Sequence, residues 1–356
     1  MPGFGKCSYP NMAKALIINP YWDTLGGGER YTATFVRWLL DKKWQVDIFS
    51  DRNYSPALSN RFGLDISAAG WKNEKYSPAK SLGLGLLFWV SDGSLPISFS
   101  NRTIIHIQFP FRHIGGGSLS NLVKSRFYKF VVNSRFTKSF IDAEFRVDSR
   151  IVYPPVDTTV FTPGKKSPYI LYVGRFSNLT QNKGQSVLIS AFRKISPRIP
   201  GWKLILAGGT GVGSPPRVIS RLKTEVSDLP VEIITDPDLI TLKELYSHAE
   251  IFWSAAGFGF DDQTDPKKVE HFGISVAEAM TAGAVPVVIG LGGFREIVDD
   301  GKNGYLWHTL DELQSITLDL ISHPGKILQL SQSARDKSNI FSVANFRKAF
   351  SGLLHQ

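Results

Sequence analysis

Two glutamates eight positions apart mark the stretch of the sequence best suited to chemistry. Glu270 and Glu278 flank a Gly-Ile-Ser segment, residues 273–275, that is typical of a helix start. If the helix begins near Gly273, Glu270 lies ahead of it and is free to reach a ligand. The exposed backbone N–H groups of Gly273 and Ile274 would then meet a phosphate. The stretch therefore predicts a site for a polar, phosphate-bearing ligand.

A second group of residues combines two cations. The predicted strand 169–173 is followed by Gly174 and Arg175, and Lys183 comes after a loop, at the predicted start of a helix. Arginine offers forked hydrogen bonds and lysine a compact charge, so together they can neutralise a diphosphate leaving group as its charge develops. Taken singly, each is more often a solvated surface residue.

A run of three glycines lies between the predicted strand 15–19 and the predicted helix 31–40. Gly26, Gly27 and Gly28 would let backbone N–H groups approach a ligand closely at the positive helix N-terminus. The spacing is not that of a dinucleotide-binding GxGxxG motif, and Asp51 is an ambiguous match for its acidic residue. A phosphate-binding loop and a tight structural turn are equally compatible with this run.

The elements that position these residues form two series. Strand-length apolar runs alternate with stretches of helical period, which predicts parallel sheets wound with helices. The runs are 15–19, 46–50, 104–108 and 130–133, then 169–173, 204–207, 231–234, 251–254 and 285–289. A proline-rich basic stretch, 153–166, separates the two series. After Trp307 the pattern is helical, with Pro324 following a predicted helix 310–322.

This order predicts two doubly wound α/β domains, 1–160 and 161–340. A terminal helix at 341–356 is expected to pack back on the first domain. Ligands are expected in a cleft between the domains, at the carboxyl ends of the strands of both sheets. The length of 356 residues agrees with two domains, because a single core rarely serves so long a chain.

The net charge of +10 is unevenly distributed along the chain. Residues 1–165 hold 21 basic and 12 acidic residues, whereas residues 166–356 hold 20 and 19. The first half therefore carries +9, which suggests that it faces an anionic partner. Cys7, the single cysteine, excludes a disulfide framework and a thiolate metal cluster within one chain.

Several function classes are excluded by missing patterns. The longest apolar run, Leu82–Val90, is too short for a transmembrane helix, and the N-terminus lacks an apolar signal core, so a cytoplasmic protein is expected. The sequence has no helix-turn-helix spacing, zinc ligand set or RNA-recognition signature, which argues against nucleic acid as the partner. A nucleotide-sugar epimerase or dehydrogenase would need GxxGxxG and Tyr-x-x-x-Lys motifs, and neither is suitably placed.

The segment from Glu270 to Glu278 resembles the E-x7-E signature of retaining glycosyltransferases of family 4, the group 1 glycosyltransferases. Other stretches agree with the family in order and spacing: 26–30, 132–137, 153–158, 174–175 with 183–184, 292–298 and 300–304. The resemblance covers nearly the whole chain and is specific for the family, but says little about the sugar. It implies the GT-B architecture, with two Rossmann-like domains facing an interdomain cleft and C-terminal helices.

The resemblance also implies roles for individual residues. The donor diphosphate would be bound by the two cations, the ribose hydroxyls by Glu278, and the sugar hydroxyls by Glu270 with the backbone of 272–274. The glycine run would close over the phosphate from the opposite domain, and His106 would lie near sugar and acceptor. The implied catalytic residues are Arg175, Lys183, Glu270 and His106; the implied donor-binding residues are Gly26, Gly27, Gly28, Gly174, Arg175, Lys183, Phe272, Gly273, Ile274 and Glu278.

Some of these roles have competing interpretations. His106, at a predicted strand end, is without the family context more often a hydrogen-bonded structural residue. No general base for front-face retaining chemistry is evident, so a phosphate oxygen of the donor is the expected proton acceptor. No metal or cofactor is needed in this scheme. The only D-x-D triplet, at Asp236 and Asp238, falls where turn and cap formers are expected.

The donor, acceptor and location are expectations from the resemblance. A UDP-hexose, glucose first, is the favoured donor, with GDP-mannose as the runner-up. The acceptor would be a glycan or lipid-linked sugar in polysaccharide or glycoconjugate biosynthesis. The alternative from another class is an inactive GT-B interaction protein, which the intact set of Arg175, Lys183, Glu270 and Glu278 disfavours.

Two segments carry further expectations. The basic first half suggests a peripheral position on the cytoplasmic face of a membrane, with Trp71, Lys72, Lys75, Lys80 and Leu82–Val90 dipping into the interface. The competing interpretation is that Leu82–Val90 is a buried helix. The insertion 257–268 is longer than a tight connection requires, so we expect it to line the donor site and to be mobile.

Overall fold

The computed structural model describes residues 13–176, 183–211 and 216–355. The chain divides into two compact units, one of Met1–His106 with Gly116–Val131 and the other of Ile107–Gly115 with Val132–Gln356. The boundary predicted between residues 160 and 161, and the return of the terminal helix to the first domain, stay predictions.

Thirteen strands are found in the described residues. They are β1 Lys14–Ile18, β2 Gln45–Phe49, β3 Gly70–Lys72, β4 Leu86–Val90, β5 Thr103–Ile107, β6 Lys129–Val132, β7 Arg150–Ile151, β8 Ser167–Val173, β9 Lys203–Gly208, β10 Val231–Thr235, β11 Ala249–Ser254, β12 Val285–Ile289 and β13 Tyr305–Trp307. The nine predicted strands match members of this set within about two residues at each end. β3, β4, β7 and β13 were not predicted.

Twelve α-helices are found in the same residues. They are α1 Gly27–Asp41, α2 Ser55–Phe62, α3 Leu119–Ser125, α4 Arg135–Phe145, α5 Gln185–Ile195, α6 Pro216–Glu225, α7 Leu239–His248, α8 Ile274–Thr281, α9 Phe294–Ile297, α10 Leu310–Ser322, α11 Pro324–Ser338 and α12 Val343–His355. The predicted helix 310–322 is confirmed as α10, and Pro324 opens α11, where its missing N–H costs nothing.

The first sheet has the strand order β3-β2-β1-β4-β5-β6-β7. β1 pairs in parallel with β2 on one side and with β4 on the other. The strand that turned out to be β4 lies inside the apolar run Leu82–Val90, so the interpretation of that run as a buried helix is wrong. Leu86, Leu87 and Phe88 are fully buried in the middle of the sheet. They are therefore unavailable to a membrane interface, so the expectation that this part of the run dips into one is wrong, while the rest of the expected membrane contact stays a prediction.

The second sheet has the order β10-β9-β8-β11-β12-β13, and all five neighbouring pairs are parallel. Both sheets therefore have the strand order of Rossmann-like folds, which confirms the predicted fold class. The order reverses between β8 and β11, where the helices that follow them lie on opposite faces and leave a crevice at the carboxyl ends. The residues that follow β8 and β11 belong to the candidate site.

The core of the second unit explains why its central strands are continuous apolar runs. Every residue of β12 is buried, as are Ile251, Phe252 and Trp253 of β11. Helices cover both faces of a parallel sheet, so its central strands have no solvent face and no alternation. This rigid sheet holds the loops at its carboxyl edge in place.

Candidate functional site

Helix α8 begins where the sequence predicted. Gly273 is its N-cap residue with φ of 107°, a conformation that favours glycine. A Cβ atom at this position would lie 2.6 Å from Cε1 of Phe294, so a larger residue also lacks space. Since α8 starts at Ile274, Glu270 precedes the helix and its side chain is not bound to the helical register.

Glu270 meets Lys183 at the carboxyl edge of the second sheet. The Lys183 Nζ atom donates to Oε2 of Glu270 over 2.8 Å, with side-chain exposures of 14% and 21%. Burial works to raise the pKa of Glu270, but the charge and hydrogen bond of Lys183, with smaller contributions from His271 and Arg175, lower this pKa below its ordinary value. The structure thus brings together a carboxylate and cations that the sequence had placed in two separate motifs.

The turn after β8 is fixed by buried partners. The Gly174 N–H donates to the Ala207 carbonyl over 3.0 Å, which keeps the turn against β9. Gln185 donates from Nε2 to the Arg175 carbonyl over 3.0 Å and to the Tyr172 hydroxyl over 3.2 Å. These bonds fix the backbone from which Arg175 projects. The charge of Arg175 helps to lower the pKa of Glu270, as described above.

The glycine pair 292–293, to which the sequence analysis assigned no role, holds the Glu270 loop. The Gly293 N–H donates to the Glu270 carbonyl over 2.8 Å. A Cβ atom at Gly293 would lie 2.4 Å from the His271 carbonyl oxygen, and one at Gly292 would lie 2.3 Å from that of Glu270. The backbone of 292–293 therefore packs directly on the loop 270–272. The signal in the sequence is the Gly-Gly pair that follows the buried strand β12.

Glu278 lies deeper than Glu270. It is 7% exposed, and the hydroxyl of the fully buried Tyr246 donates to its Oε2 atom over 2.8 Å. Its position on α8 places it four residues beyond the helix start, on the second unit's apolar core side. The structure thus gives Glu278 a fixed orientation, while its predicted contact with ribose stays a prediction.

His271 is an additional residue of this loop. Its ring packs edge-on against Phe109, with ring centroids 5.0 Å apart, and burial lowers the pKa of His271 to about 4. Phe109 belongs to the segment 107–115, which lies in the second unit. At neutral pH the imidazole is uncharged, so Lys183 and Arg175 supply the positive charge near Glu270.

The glycine run of the first unit is largely helical, which corrects the predicted helix start at Tyr31. Gly26 is the N-cap residue of α1, and Gly27 and Gly28 form its first turn. The Gly26 N–H donates to Oε2 of Glu29 over 2.8 Å, and the Thr24 hydroxyl donates to the same oxygen. Glu29, 4% exposed, therefore caps the Gly26 N–H with its side chain and supplies an anion at this helix N-terminus.

His106 is buried in the first unit, and its expected place near sugar and acceptor stays a prediction. It has no exposed surface, and its ring stacks on that of Tyr31 with centroids 4.0 Å apart. Its Nδ1 atom lies 3.2 Å from the Val131 carbonyl oxygen, and burial lowers the pKa of His106 to about 3. Its Nε2 atom has no hydrogen-bond partner among the described residues. This environment favours the structural interpretation that the sequence left open.

The aspartates of the D-x-D triplet serve local structure. Asp238 is the N-cap residue of α7 and accepts from the Thr241 N–H over 2.8 Å. Asp236 accepts from the N–H of Thr210 over 2.8 Å and from its hydroxyl. The prediction of turn and cap roles is therefore confirmed. Within the described ranges, no group of three or more His, Cys, Asp or Glu residues is arranged to hold a metal ion.

Comparison with known proteins identifies the family. The family model of glycosyl transferases group 1 matches residues 158–336, half of the chain and most of the second unit. The chain belongs to the group 1 glycosyl transferases.

Relatives and solved structures agree with this membership. A GDP-Man:Man(3)GlcNAc(2)-PP-Dol alpha-1,2-mannosyltransferase of Dictyostelium discoideum is 26% identical over 252 residues, 66% of this chain and 47% of the relative. A GDP-mannose-dependent alpha-(1-6)-phosphatidylinositol monomannoside mannosyltransferase of Mycolicibacterium smegmatis is 29% identical over 227 residues, 57% and 55% of the two chains. This group 1 glycosyl transferase spans about half the length of the first curated relatives it matches.

The fold is shared with a solved glycosyltransferase from Rickettsia africae. The TM-score is 0.76 at 15% identity, over 97% of this chain and 98% of that one. This likeness supports the GT-B fold class for this group 1 glycosyl transferase. Among the helices that the structure describes, none has the length and apolar character needed to cross a membrane.

The insertion before Glu270 is anchored to the site in this group 1 glycosyl transferase. Asp262, 4% exposed, accepts from the Gly292 N–H over 3.0 Å and from Nη1 of Arg295 over 2.7 Å. Asp261 caps the next turn by accepting from the N–H groups of Gln263 and Thr264. The insertion thus contacts the glycine pair that holds Glu270, and its predicted mobility stays a prediction.

Proposed function

We propose that this protein is a retaining glycosyltransferase that moves a hexose from a nucleotide sugar to a glycan or lipid-linked acceptor. The observation that carries the proposal is the Lys183–Glu270 ion pair at the carboxyl edge of the second sheet, with Arg175 close enough to lower the pKa of Glu270. Cations held at such an edge suit a diphosphate, and a carboxylate beside them suits sugar hydroxyls. Membership of the group 1 family supports the same reaction class.

The proposed roles follow from where each group lies. Arg175 and Lys183 bind the diphosphate and stabilise its charge as the bond to the sugar breaks. Glu270 accepts hydrogen bonds from hydroxyls of the transferred sugar, and Glu278 accepts them from the ribose. The N–H groups at the start of α8, a helix N-terminus, face an anion favourably.

The ion pair prepares both partners for the donor. In the absence of donor, Glu270 compensates the charge of Lys183 in a site where neither is freely solvated. When a diphosphate binds, it replaces Glu270 as the counter-ion of Lys183. Glu270 then accepts hydrogen bonds from the sugar. The two groups are thus held near their working positions, which lowers the entropy cost of assembling the transition state.

We infer that GDP-mannose is the first donor to test, ahead of UDP-glucose. The names of the first relatives specify GDP-mannose in amoeba, vertebrates and a mycobacterium. These relatives favour the runner-up of the sequence analysis over its first choice. The same names specify lipid-borne acceptors, which supports a lipid-linked acceptor here.

The proposed mechanism needs neither a metal nor a protein base. The leaving diphosphate is neutralised by Arg175 and Lys183, and one of its oxygens accepts the proton of the acceptor hydroxyl on the same face of the sugar. This route retains the anomeric configuration. The buried, uncharged His106 has no part in the proton transfer, in keeping with its position among aromatic rings.

A screen of donors for nucleotide release tests the proposal. The purified protein is incubated with GDP-mannose and UDP-glucose, and free GDP or UDP is quantified for wild type, Lys183→Ala and Glu270→Ala. We expect one donor to be hydrolysed and each substitution to slow release by about a hundredfold or more, since charge stabilisation of the leaving group is lost.

Lys203→Ala is the matched control for this screen. Lys203 pairs with Glu232 over 3.1 Å on the surface of the same sheet, with both side chains about half exposed. Release by this variant should stay within about twofold of wild type, because exposed ion pairs contribute little. The proposal fails if no nucleotide sugar is turned over, or if Lys183→Ala and Glu270→Ala behave like Lys203→Ala.

A further inference from the structure

The first unit exposes an unusual set of large apolar side chains. They share exposures between 52% and 80% and are Leu82, Ile97, Phe99, Leu119, Val123 and Phe127. Leu119 and Val123 lie one turn apart on α3, a helix that has no buried residue. A helix normally buries its apolar residues in the protein, so the exposed stripe of α3 calls for a partner outside this unit.

Hydrogen bonds hold together the segments that carry these side chains. Lys124 donates from Nζ to the Leu95 carbonyl over 2.9 Å, and Tyr128 donates its hydroxyl to the Pro96 carbonyl over 2.8 Å, which ties the segment 119–128 to the segment 95–99. The Phe99 N–H donates to Oγ of Ser81 over 2.8 Å, next to Leu82. The three segments are therefore neighbours, and we call the exposed apolar and basic side chains that they carry the basic apolar surface.

The charge of this surface is almost entirely positive. The segments 71–82, 95–102 and 119–129 contain seven basic residues, Lys72, Lys75, Lys80, Arg102, Lys124, Arg126 and Lys129, and one acidic residue, Glu74. Glu74 is paired with Lys80, and Lys72 is paired with Asp47 over 2.7 Å. These segments alone account for +6 of the chain's net charge of +10, so the positive charge is concentrated around the exposed apolar side chains.

We propose that the basic apolar surface docks on an anionic lipid bilayer. The apolar side chains enter the region between headgroups and acyl chains, and the lysines and arginines contact lipid phosphates. A second copy of this chain would bring the same positive charge and be repelled, and nucleic acid offers nothing to bury Leu119 or Phe127. An anionic bilayer satisfies both features at once.

This inference goes beyond the proposed function, because docking requires no donor turnover. It also places the membrane contact differently from the sequence-based expectation. Lys72, Lys75, Lys80 and Leu82 remain part of it, but Leu86–Val90 is the buried strand β4. Residues of 95–99 and 119–127 take the place of that strand.

Vesicle binding tests the inference. Partition of the protein into sedimented vesicles of phosphatidylcholine alone is compared with that into vesicles mixed with phosphatidylglycerol. The apolar variant carries Leu119→Ser and Phe127→Ser, and the charge variant carries Lys75→Glu and Arg126→Glu. We expect wild type to bind the anionic vesicles only, and each double variant to bind about tenfold or more weakly.

Matched controls come from the second unit. Ile240→Ser with Leu328→Ser removes apolar side chains that are 69% and 74% exposed, and Lys194→Glu with Lys348→Glu reverses two exposed lysines. Both controls should bind vesicles within about twofold of wild type, and all variants should unfold at the wild-type temperature because the changed residues are exposed.

Three outcomes would overturn the inference. The first is that wild type fails to bind anionic vesicles at low salt. The second is that the second-unit controls lose as much binding as the test variants. The third is that wild type is a dimer and the apolar variant is a monomer that binds vesicles as well as wild type does. Nucleotide release in solution is measured on the same samples. If wild type releases nucleotide but does not bind anionic vesicles, the docking inference fails and the proposed function stands.

Discussion

At the scale of residues, the Lys183–Glu270 ion pair is the centre of the candidate site. The two residue types were recognisable as ligands for phosphate and sugar, but their mutual contact over 2.8 Å was not, because it joins positions 87 residues apart. Because the pKa of Glu270 is lowered, the pair stays charged at any pH above 4.5, the ordinary pKa of a glutamate. The stability it contributes is lost only as the pH falls through that lowered value.

His106 was harder to predict than the charged pair. The pattern Ile105-His106-Ile107 indicates a strand but does not say which face a helix covers. In the structure, β5 is buried along its whole length, and α1 supplies Tyr31 against the imidazole. A parallel strand covered on both faces gives no solvent side on which a histidine could be recognised as functional.

The burial of His106 makes a pH-dependent prediction. In the folded protein the pKa of His106 is about 3, whereas that of an unfolded histidine is 6.5. Below pH 6.5 the unfolded chain binds a proton that the folded chain does not, so the unfolding free energy falls as the pH falls, by up to about 1.4 kcal/mol per pH unit. The buried His271, with a pKa of about 4, contributes in the same way, so His106→Phe should reduce the slope without abolishing it, as measured by urea unfolding between pH 7 and 5.

The control for this prediction is His355→Asn, at an exposed position of α12. This variant should keep the wild-type pH profile. His106→Phe should also retain nucleotide release within about threefold. A loss of release by a hundredfold with an unchanged stability profile would show that His106 acts in catalysis and not in the core.

At the scale of elements, strand β4 and helix α8 mark opposite limits of prediction. The run Leu82–Val90 did not reveal its strand, because a central parallel strand has no alternation and a short apolar run fits a helix equally well. The start of α8 was predictable, because the Gly-Ile-Ser segment 273–275 between the two glutamates is typical of a helix start. The packing of 292–293 on 270–272 was not, since it depends on two loops that are distant in sequence.

Gly273 tests the element that presents Glu270. Gly273→Ala places a Cβ at a φ of 107° and at 2.6 Å from Phe294, so we expect a loss of about 2 kcal/mol or more in unfolding free energy. The start of α8 should shift with it, and nucleotide release should fall. Urea unfolding and the release assay measure the two effects.

Gly352→Ala is the comparison for Gly273→Ala. Gly352 lies within α12, where an added Cβ meets nothing within 4 Å. The unfolding free energy of this variant should rise by about 0.5–1 kcal/mol, because alanine restricts the unfolded chain and favours the helix. Equal stability of the two variants would contradict the close packing described for the α8 start.

At the scale of the whole molecule, the sequence predicted two Rossmann-like sheets and an uneven charge, and the structure shows both sheets and localises much of the charge. The +9 of the first half could not be placed on a face from the sequence, because surface position depends on which segments the fold brings together. The basic apolar surface assembles three segments from different parts of that half. The second half, with 20 basic and 19 acidic residues, is nearly neutral and contributes Arg175 and Lys183 to the candidate site.

The central claim is that Lys183 at the carboxyl edge of the second sheet binds the diphosphate of a nucleotide sugar. The most direct measurement is the Kd for GDP and for UDP by titration calorimetry, on wild type, Lys183→Ala and Lys203→Ala. We predict that Lys183→Ala weakens binding of the preferred nucleotide about tenfold or more, whereas Lys203→Ala stays within about twofold. Equal Kd values for all three proteins, or no binding of either nucleotide by wild type, would contradict the account.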